Sequence, residues 1–414
     1  MKKPKKNYWE ERSRMSNIPK LRFPEFSGEW EEKKLSDIMT RLTRKNLNNE
    51  SSRALTISSV DGLIDQGEFF KKQIASKDTS GYYLLKKDDF AYNKSYSVGY
   101  DYGSIKRLDR YEDGVVSTLY ICMSLTSDTN SDYLTHYFDS MKWNKSVSEI
   151  SAEGARNHGL LNIPTEAFFQ TKHYLAPSLP EQQKIADFLS NVDSIITAET
   201  KILNSLQKKK KALMQKLFTQ QLRFKSDDGK DFPEWEERKL GEFCKTYSGG
   251  TPKSGTADYY GGEIPFIRSG EISSNKTELF LTEKGMENSS AKMVSKGDIL
   301  YALYGANSGL CSISKIDGAI NQAILCIKTK ENKRFLCNYL QYQREYFYST
   351  YLQGGQGNLS GKLVESFIIP LPCIVEQQKI ADCLSSIDSL IQTQQKVITT
   401  WQQRKKALLQ QMFI

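Results

Sequence analysis

Apolar residues recur every three or four positions along two stretches of this chain, one in the middle and one at the end. The apolar positions are Leu189, Val192, Ile196, Leu203, Leu206, Leu213 and Leu217 in the first stretch, and Leu384, Ile387, Ile391, Ile398, Trp401, Leu408 and Met412 in the second. This spacing is typical of the seam of a coiled coil. It predicts two helices of about 38 residues, each roughly 55–60 Å long.

The polar residues that interrupt the two seams lie at equivalent places, Glu199 and Lys210 in the first and Gln394 and Lys405 in the second. Matched interruptions favour one seam shared by both helices. An antiparallel pair would act as a spacer between two globular parts related by a pseudo-two-fold axis. The alternative is two independent amphipathic helices, each packed on its own domain. The nearest prolines, Pro180 and Pro372, are placed just upstream of the predicted helices.

The rest of the chain has the pattern of a mixed fold. The runs YICMSL (120–125) and AILCIKT (323–329) are rich in β-branched and aromatic residues and predict strands. The glycine-containing runs SGGTPKSG (248–255) and YYGGEIP (259–265) predict turns. The expected fold class is therefore α+β, with two globular mixed α/β domains and two long coiled-coil-like helices.

The chain is an internal duplication, because several segments occur twice. The pairs are EQQKIAD at 181–187 and 376–382, GEWEEKKLSDI at 28–38 and PEWEERKLGEF at 233–243, KKALMQKLF at 210–218 and KKALLQQMF at 405–413, and more weakly DFAY at 89–92 with DILY at 298–301 and DGVVS at 113–117 with DGAIN at 317–321. Two such units are too few and too long for a solenoid. The predicted segments are a basic tail (1–20), a first domain (21–178), a central helix (179–219), a second domain (220–371) and a C-terminal helix (372–414).

Composition narrows the class of protein. The net charge of +9 and the 22 tyrosines favour an anionic partner such as nucleic acid without proving one. The seven cysteines include no CxxC pair and there are only three histidines, so we expect free thiols in a reducing cytoplasm and no metal site. The basic N-terminus lacks the apolar core of a secretory signal, and Met15 is an alternative start.

Motifs for catalysis are absent from the sequence. No Pro-Pro occurs, so the Asn/Asp-Pro-Pro-aromatic loop of adenosylmethionine-dependent amino-methyltransferases is missing. The run QGNLSGKL (356–363) departs from a P-loop at both Gln356 and Leu363, and Ser360 stands where a dinucleotide fingerprint needs its third glycine. We therefore expect a binding protein rather than an enzyme.

Taken together, GEWEEKKLSDI, the run FIIPLPCIVEQQKIAD (367–382) and the paired helices ending in KKALMQKLF resemble the specificity subunit of type I restriction–modification systems. The resemblance covers nearly the whole chain beyond its first twenty residues. It implies that each variable domain recognises one half of a split DNA sequence, while the helices set the half-site spacing and dock two methyltransferase subunits. It also implies that restriction subunits join the complex, and that S-adenosylmethionine, ATP and Mg are bound by partner subunits and not by this chain.

The residues expected to contact DNA lie in loops of both variable domains. They are Asn93, Lys94, Tyr96, Tyr100, Arg156 and Asn157 in the first, and Lys253, Arg268, Tyr304, Asn307, Gln356 and Asn358 in the second. For each of them the alternative is an ordinary solvated loop residue. We expect Arg156→Ala or Arg268→Ala to weaken DNA binding and to leave partner assembly intact. The run KKKK (208–211) is either a solvated helix face or a contact with the DNA spacer or an acidic partner surface.

Two other classes of protein stay open at this point. A stand-alone DNA-binding regulator usually carries a helix-turn-helix or similar module, and the sequence shows none. A coiled-coil scaffold whose globular domains bind proteins would have no affinity for DNA even with partners present. A fused nuclease–methyltransferase is disfavoured by the missing Pro-Pro loop.

Overall fold

A computed structural model describes residues 17–59, 61–70, 76, 78–151, 161–351 and 358–414. The chain forms two compact units. Unit 1 comprises Met1–Thr200 and Lys396–Ile414, and unit 2 comprises Lys201–Gln395. Each long helix contributes one part of its length to each unit.

Unit 1 is built around an antiparallel sheet. The strands described in it are β1 (Glu31–Lys34), β2 (Met39–Leu42), β3 (Leu55–Ser58), β4 (Gly62–Asp65), β5 (Tyr83–Lys86), β6 (Phe90–Asn93), β7 (Ser104–Arg107), β8 (Asp113–Val116), β9 (Ile121–Leu125) and β10 (Lys172–Leu175). The helices are α1 (Leu35–Ile38), α2 (Gln66–Phe70), α3 (Ser131–Asp139), α4 (Asn144–Ile150), α5 (Thr165–Phe169) and the long α6 (Leu179–Phe218), which begins here. The central sheet has the order β2-β9-β6-β7, and the strand predicted at 120–125 is confirmed as β9.

Unit 2 repeats this plan. Its strands are β11 (Glu236–Lys239), β12 (Cys244–Ser248), β13 (Tyr260–Ile267), β14 (Leu279–Leu281), β15 (Lys292–Val294), β16 (Ile299–Ala302), β17 (Cys311–Ile313), β18 (Gly318–Ile320), β19 (Ile324–Thr329) and β20 (Ile368–Leu371). The helices are α7 (Leu240–Phe243), α8 (Glu283–Glu287), α9 (Lys333–Tyr342), α10 (Arg344–Tyr351), α11 (Gly361–Glu365) and the long α12 (Ile374–Met412). The sheet β12-β19-β16-β17 has the same antiparallel order as its counterpart in unit 1.

The turn predicted at 259–265 is wrong, whereas the strand predicted at 323–329 is confirmed as β19. Residues 260–267 form β13, whose pairing with β14 slips between Tyr260 and Ile264. Gly261 has a φ of +82°, and such a residue allows an irregular strand to continue instead of turning back. Glycine-rich composition alone does not distinguish these two outcomes.

The long helices are antiparallel. In unit 1 the beginning of α6 lies beside the end of α12, and the Lys405 Nζ atom is 2.7 Å from the nearer carboxylate oxygen of Asp193. In unit 2 the end of α6 lies beside the beginning of α12, and Lys210 Nζ is 2.6 Å from Asp388 Oδ1. The polar interruptions Lys210 and Lys405 are therefore the cations of two equivalent ion pairs. The fold class predicted from the sequence, including its internal repeat, is confirmed.

The two helices contain 40 and 39 residues. Pro180 lies in the first turn of α6 and not upstream of it, because a first-turn residue has no intrahelical partner for an N–H group and tolerates proline. Every one of the fourteen residues assigned to the seam is buried or half-buried in its own unit.

Candidate DNA interface

In each unit, the glutamate that begins the repeated sequence EQQKIAD joins the globular domain to a long helix through hydrogen bonds to its buried carboxylate. In unit 1 the Glu181 carboxylate accepts hydrogen bonds from Arg22 Nε at 2.7 Å, Arg22 Nη2 at 2.8 Å and the Trp30 indole at 3.2 Å. The Glu181 side chain is 1% exposed, so these donors replace its hydration. Arg22 also donates to the Ser27 carbonyl at 3.2 Å, which fixes the turn before β1.

The same arrangement occurs in unit 2. There the Glu376 carboxylate accepts from Arg223 Nε at 3.1 Å, Arg223 Nη2 at 2.9 Å and the Trp235 indole at 3.1 Å. We call these two sets of three residues the clamps. The clamps were not predicted from the sequence, although the triplet Leu-Arg-Phe at 21–23 and 222–224 is a repeat that marks both arginines.

The two glutamines of each phrase hold the helix that follows the central sheet. Gln182 Oε1 accepts from the Asn130 backbone N–H at 2.9 Å, and Gln183 Oε1 accepts from Asn130 Nδ2 at 2.7 Å. Asn130 is the N-cap of α3. In unit 2, Gln377 and Gln378 contact the α9 N-cap Asn332 at 2.9 and 2.7 Å in the same way. These parts of the repeat therefore maintain the geometry between domain and helix within one unit.

In unit 1 the candidate DNA-contacting residues occupy the connection between β6 and β7. Tyr96 is 47% exposed, and Tyr100 is half-buried beyond a tight turn in which its N–H donates to the Ser97 carbonyl at 2.8 Å. Asn93 ends β6, and its side-chain oxygen accepts from the Ser95 N–H at 3.0 Å. Tyr96 is thus presented to solvent by a hydrogen-bonded hairpin.

Lys94 lies at the base of the same connection. Burial lowers the pKa of its ammonium group. Its backbone carbonyl accepts from the Leu161 N–H at 3.0 Å, which brings the segment before α5 to this edge of the sheet. Arg156 and Asn157, which were also predicted to contact DNA, lie outside the described residues.

In unit 2 several segments meet at the corresponding edge. The connection between β16 and β17 carries Tyr304 and Asn307, both half-buried. The Leu359 N–H donates to the Leu303 carbonyl at 2.9 Å. The exposed Asn358, which precedes Leu359, therefore lies beside this connection. This bond is the counterpart of the one between Leu161 and Lys94 in unit 1. Gln356 lies outside the described residues.

Arg268 begins the turn after β13 and already has carboxylate partners. Its Nε atom is 3.2 Å from Glu271 Oε2, and its Nη2 atom is 2.5 Å from Glu278 Oε2. These hydrogen bonds, and above all those that Arg268 donates to Glu271, raise the pKa of Arg268 above its already high value. The charge of Arg268 is largely neutralised by these carboxylates. Arg268→Ala would therefore remove the hydrogen bonds of the turn as well as a cation. Its expected weakening of DNA binding stays a prediction.

Lys253 is exposed in the loop after β12. That loop reaches the turn before β19, where the Thr251 hydroxyl donates to Gln322 Oε1 at 2.6 Å. The same turn is joined to the Tyr304 connection, because the Leu303 N–H donates to the Ala323 carbonyl at 2.8 Å. Unit 2 therefore gathers Lys253, Tyr304, Asn307 and Asn358 on loops that are linked by backbone or side-chain hydrogen bonds.

Residues 27–208 and 233–400 each match the family model of the type I restriction modification DNA specificity domain. The chain belongs to this family. It carries two copies of the specificity domain, and they coincide with the two sequence repeats.

Curated relatives of the specificity family include proteins from Methanocaldococcus jannaschii. Over 291 residues the chain is 30% identical to one that is provisionally named type I restriction enzyme MjaX specificity subunit, and the match covers 67% of this chain and 65% of that relative. It is 24% identical to the type I restriction enzyme MjaVIII specificity subunit, over 94% of this chain and 92% of the relative. The crystal structure of a type I restriction-modification S subunit from M. genitalium has the same fold, with a TM-score of 0.55, 14% identity and coverage of 96% and 99%.

Other chemical features of this specificity protein are sparse. No cluster of three potential metal-ligating His, Cys, Asp or Glu side chains occurs among the described residues, and all seven cysteines are free. Within the same residues, no helix is long and apolar enough to cross a bilayer. In the run 208–211, Lys210 pairs with Asp388, while its three neighbours are exposed on α6.

The paired helices of unit 1 leave an apolar groove open to solvent. The groove has a volume of about 440 Å³ and is lined by Phe188, Val192 and Ile195 of α6 and by Trp401, Ala407 and Leu408 of α12. Of these side chains Phe188 is exposed, and Ile195, Trp401 and Leu408 are half-buried, which is typical of an apolar surface that accepts another helix.

Proposed function

We propose that this chain is the DNA-recognition subunit of a type I restriction–modification complex and that each unit recognises one half of a bipartite DNA target. One observation carries the proposal. The two units place unlike side chains on the same scaffold, with the same sheet order and the same pair of hydrogen-bonded loops at its edge. Two matched scaffolds with different side chains are suited to two different short sequences.

The chemistry of these loops suits contact with DNA. Lysine can bind phosphates or guanine, asparagine can bind adenine through two hydrogen bonds, and tyrosine can pack on bases or bind phosphates. The net charge of +9 adds a favourable, salt-dependent attraction to the phosphate backbone. The antiparallel helices would set the distance between half-sites, which in DNA recurs at about 34 Å per helical turn.

Partners would supply the catalytic chemistry. In this proposal two methyltransferase subunits dock on the helices, with the apolar groove of unit 1 as one contact, and restriction subunits join them. S-adenosylmethionine, ATP and Mg would then be bound by those partners, and the complex would act on DNA in the cytoplasm. This chain itself would be non-catalytic.

The decisive experiment is a single-molecule methylome of a host that expresses the methyltransferase partner with or without this chain. We expect a new split methylated motif only when the chain is present, and that motif would define both half-sites. If the partner is bound and active but no new motif appears, the DNA-recognition proposal fails. A DNA-binding chain without partners would then indicate a regulator, and a chain without DNA affinity would indicate a scaffold.

A further inference from the structure

Arg344 supports one of the candidate recognition loops from behind. It begins α10 in unit 2, and its Nε atom donates to the Ser308 carbonyl at 3.0 Å while Nη2 donates to the Ala306 carbonyl at 3.3 Å. These carbonyls flank Asn307, so the guanidinium spans the tip of the connection between β16 and β17. The five N–H groups of arginine lie in one plane, and two of them can therefore hold two carbonyls at a fixed spacing.

The base of this connection is closed by its own backbone. The Ala302 N–H donates to the Leu310 carbonyl at 2.8 Å, and the Gly309 N–H donates to the Ala302 carbonyl at 2.8 Å. Within the tip, the buried Ser308 hydroxyl donates to the Leu303 carbonyl at 3.1 Å, whereas Gly305 and Ala306 are exposed. Gly305, Ala306 and Arg344 line an open groove of about 1010 Å³, so solvent lies where a core would otherwise support the loop.

A glycine makes room for the arginine. Gly309 has a φ of +79°, and a Cβ atom at this position would lie 2.9 Å from Arg344 Cγ. Any side chain there would strain the backbone and displace the arginine stem. Gly309 and Arg344 therefore depend on each other, although 35 positions separate them in the sequence.

The supported tip carries the side chains that would discriminate bases. A Cβ atom on Gly270, in the turn that Arg268 begins, would lie 3.5 Å from Asn307 Nδ2, so the two loops are close together. An asparagine that forms two hydrogen bonds to adenine must present its amide group in a fixed plane. Rotation of the tip would lose that plane even if every DNA-contacting side chain remained.

We propose that Arg344 is a positioning residue for DNA specificity, which holds the 304–308 tip so that Asn307 recognises an adenine in the half-site bound by unit 2. The inference rests on the proposed function. Because the Arg344 guanidinium donates to two protein carbonyls, its role in this proposal is base discrimination and not phosphate binding. Ala306 and Ser308 contribute their backbone carbonyls to Arg344, and the buried Ser308 hydroxyl adds a hydrogen bond to the Leu303 carbonyl at 3.1 Å.

The test uses the complex of this chain with its methyltransferase subunits and the target found by methylome sequencing. Wild type, Arg344→Met, Arg344→Lys and Gly309→Ala compete for targets that carry single base-pair changes at every position of both half-sites. Arg334→Met is the matched control, because it removes an arginine on α9 whose described partner is Ser385 and not a loop carbonyl. Melting temperature and the salt dependence of binding are measured for each variant.

We expect Arg344→Met and Gly309→Ala to lose about tenfold in discrimination at one A·T pair of one half-site, which is the lower part of the range for an Asn–adenine pair. The other half-site, the salt dependence and the Arg334→Met control should keep the wild-type profile, and Arg344→Lys should recover part of the discrimination. An unchanged profile in Arg344→Met would overturn the inference, and so would an equal loss at all positions. If wild type itself shows no base discrimination, the proposed function fails, and this inference fails with it.

Discussion

Individual buried side chains differ between the two units in ways that change their response to pH. His173 in β10 is buried, with Tyr137 Oη 2.8 Å from its Nδ1 atom and Thr171 Oγ1 2.8 Å from its Nε2 atom. Burial lowers the pKa of His173 from 6.5 to about 4. In unit 2 the matching strand β20 has Ile369, which does not titrate.

The unfolded chain therefore takes up a proton at residue 173 before the folded chain does. Because the folded pKa is the lower one, the free energy of unfolding should decrease as the pH falls from about 6.5 and level off below about 4, by about 3 kcal/mol in total. We expect His173→Ile to lack this decrease, so the unfolding free energy of wild type minus that of the variant should fall by this amount over the same pH range. Parallel pH curves for the two proteins would contradict the assignment.

The clamps provide a second prediction at the scale of single residues. Glu181→Gln or Glu376→Gln removes the buried carboxylate that its clamp arginine binds, and we expect each to lower the free energy of unfolding by about 3 kcal/mol. The matched control is Glu234→Gln, because Glu234 also pairs with Arg223, at 3.7 Å, but its side chain is 93% exposed. Chemical denaturation of the three variants measures the difference, and equal stability of all three would contradict the structural role of the clamps.

At the scale of elements, the helices are the part that periodicity predicted well. A seam of 3.5-residue spacing can be recognised from local sequence alone. The same spacing also predicted that Lys210 and Lys405 lie in the seam. The clamps could not be predicted in this way, because Arg22 and Glu181 are 159 positions apart and meet only after the domain has folded. Arg268 illustrates the same limit, since its neutralisation by Glu278 requires the turn between β13 and β14.

The contribution of the ion pairs in the helix seam to stability can be tested by exchanging the charges of Lys210 and Asp388. Lys210→Glu places two carboxylates together in a partly exposed seam, and we expect a loss of about 1–2 kcal/mol in unfolding free energy, since solvent screens the pair. The double variant Lys210→Glu with Asp388→Lys should recover most of that loss. Lys211→Glu, at the neighbouring exposed position, serves as control. Failure of the double variant to recover would show that the pair does not fix the helix register.

At the scale of the whole molecule, the repeat also includes the way the end of a long helix meets the start of a domain. In unit 2 three residues, Thr219–Gln221, join Phe218 to Leu222, and the Leu222 N–H donates to the Lys216 carbonyl at 3.0 Å. In unit 1 the Leu21 N–H donates to the Gln411 carbonyl at 2.9 Å. Leu21 and Gln411 correspond to Leu222 and Lys216, but no short peptide segment joins them.

The chain should therefore tolerate a circular permutation. Phe413 would be joined to Leu21 through a copy of Thr-Gln-Gln, and new ends would be opened at the exposed turn between Asp228 and Gly229. We expect a folded protein with a melting temperature within a few degrees of wild type, because the new connection copies an existing one. A permutant with the linker shortened to one residue is the control, and equal melting temperatures for the two linkers would contradict the equivalence.

The clamps also have a consequence for inheritance. Both copies of EQQKIAD make the same contacts with their own domain, so a domain flanked by such a phrase carries the contacts it needs wherever it is placed. Genetic exchange within the codons of the first phrase would replace the domain that precedes it and leave the helix pairing unchanged. A lineage with this architecture can acquire a new DNA target in one crossover, without adapting its partner subunits.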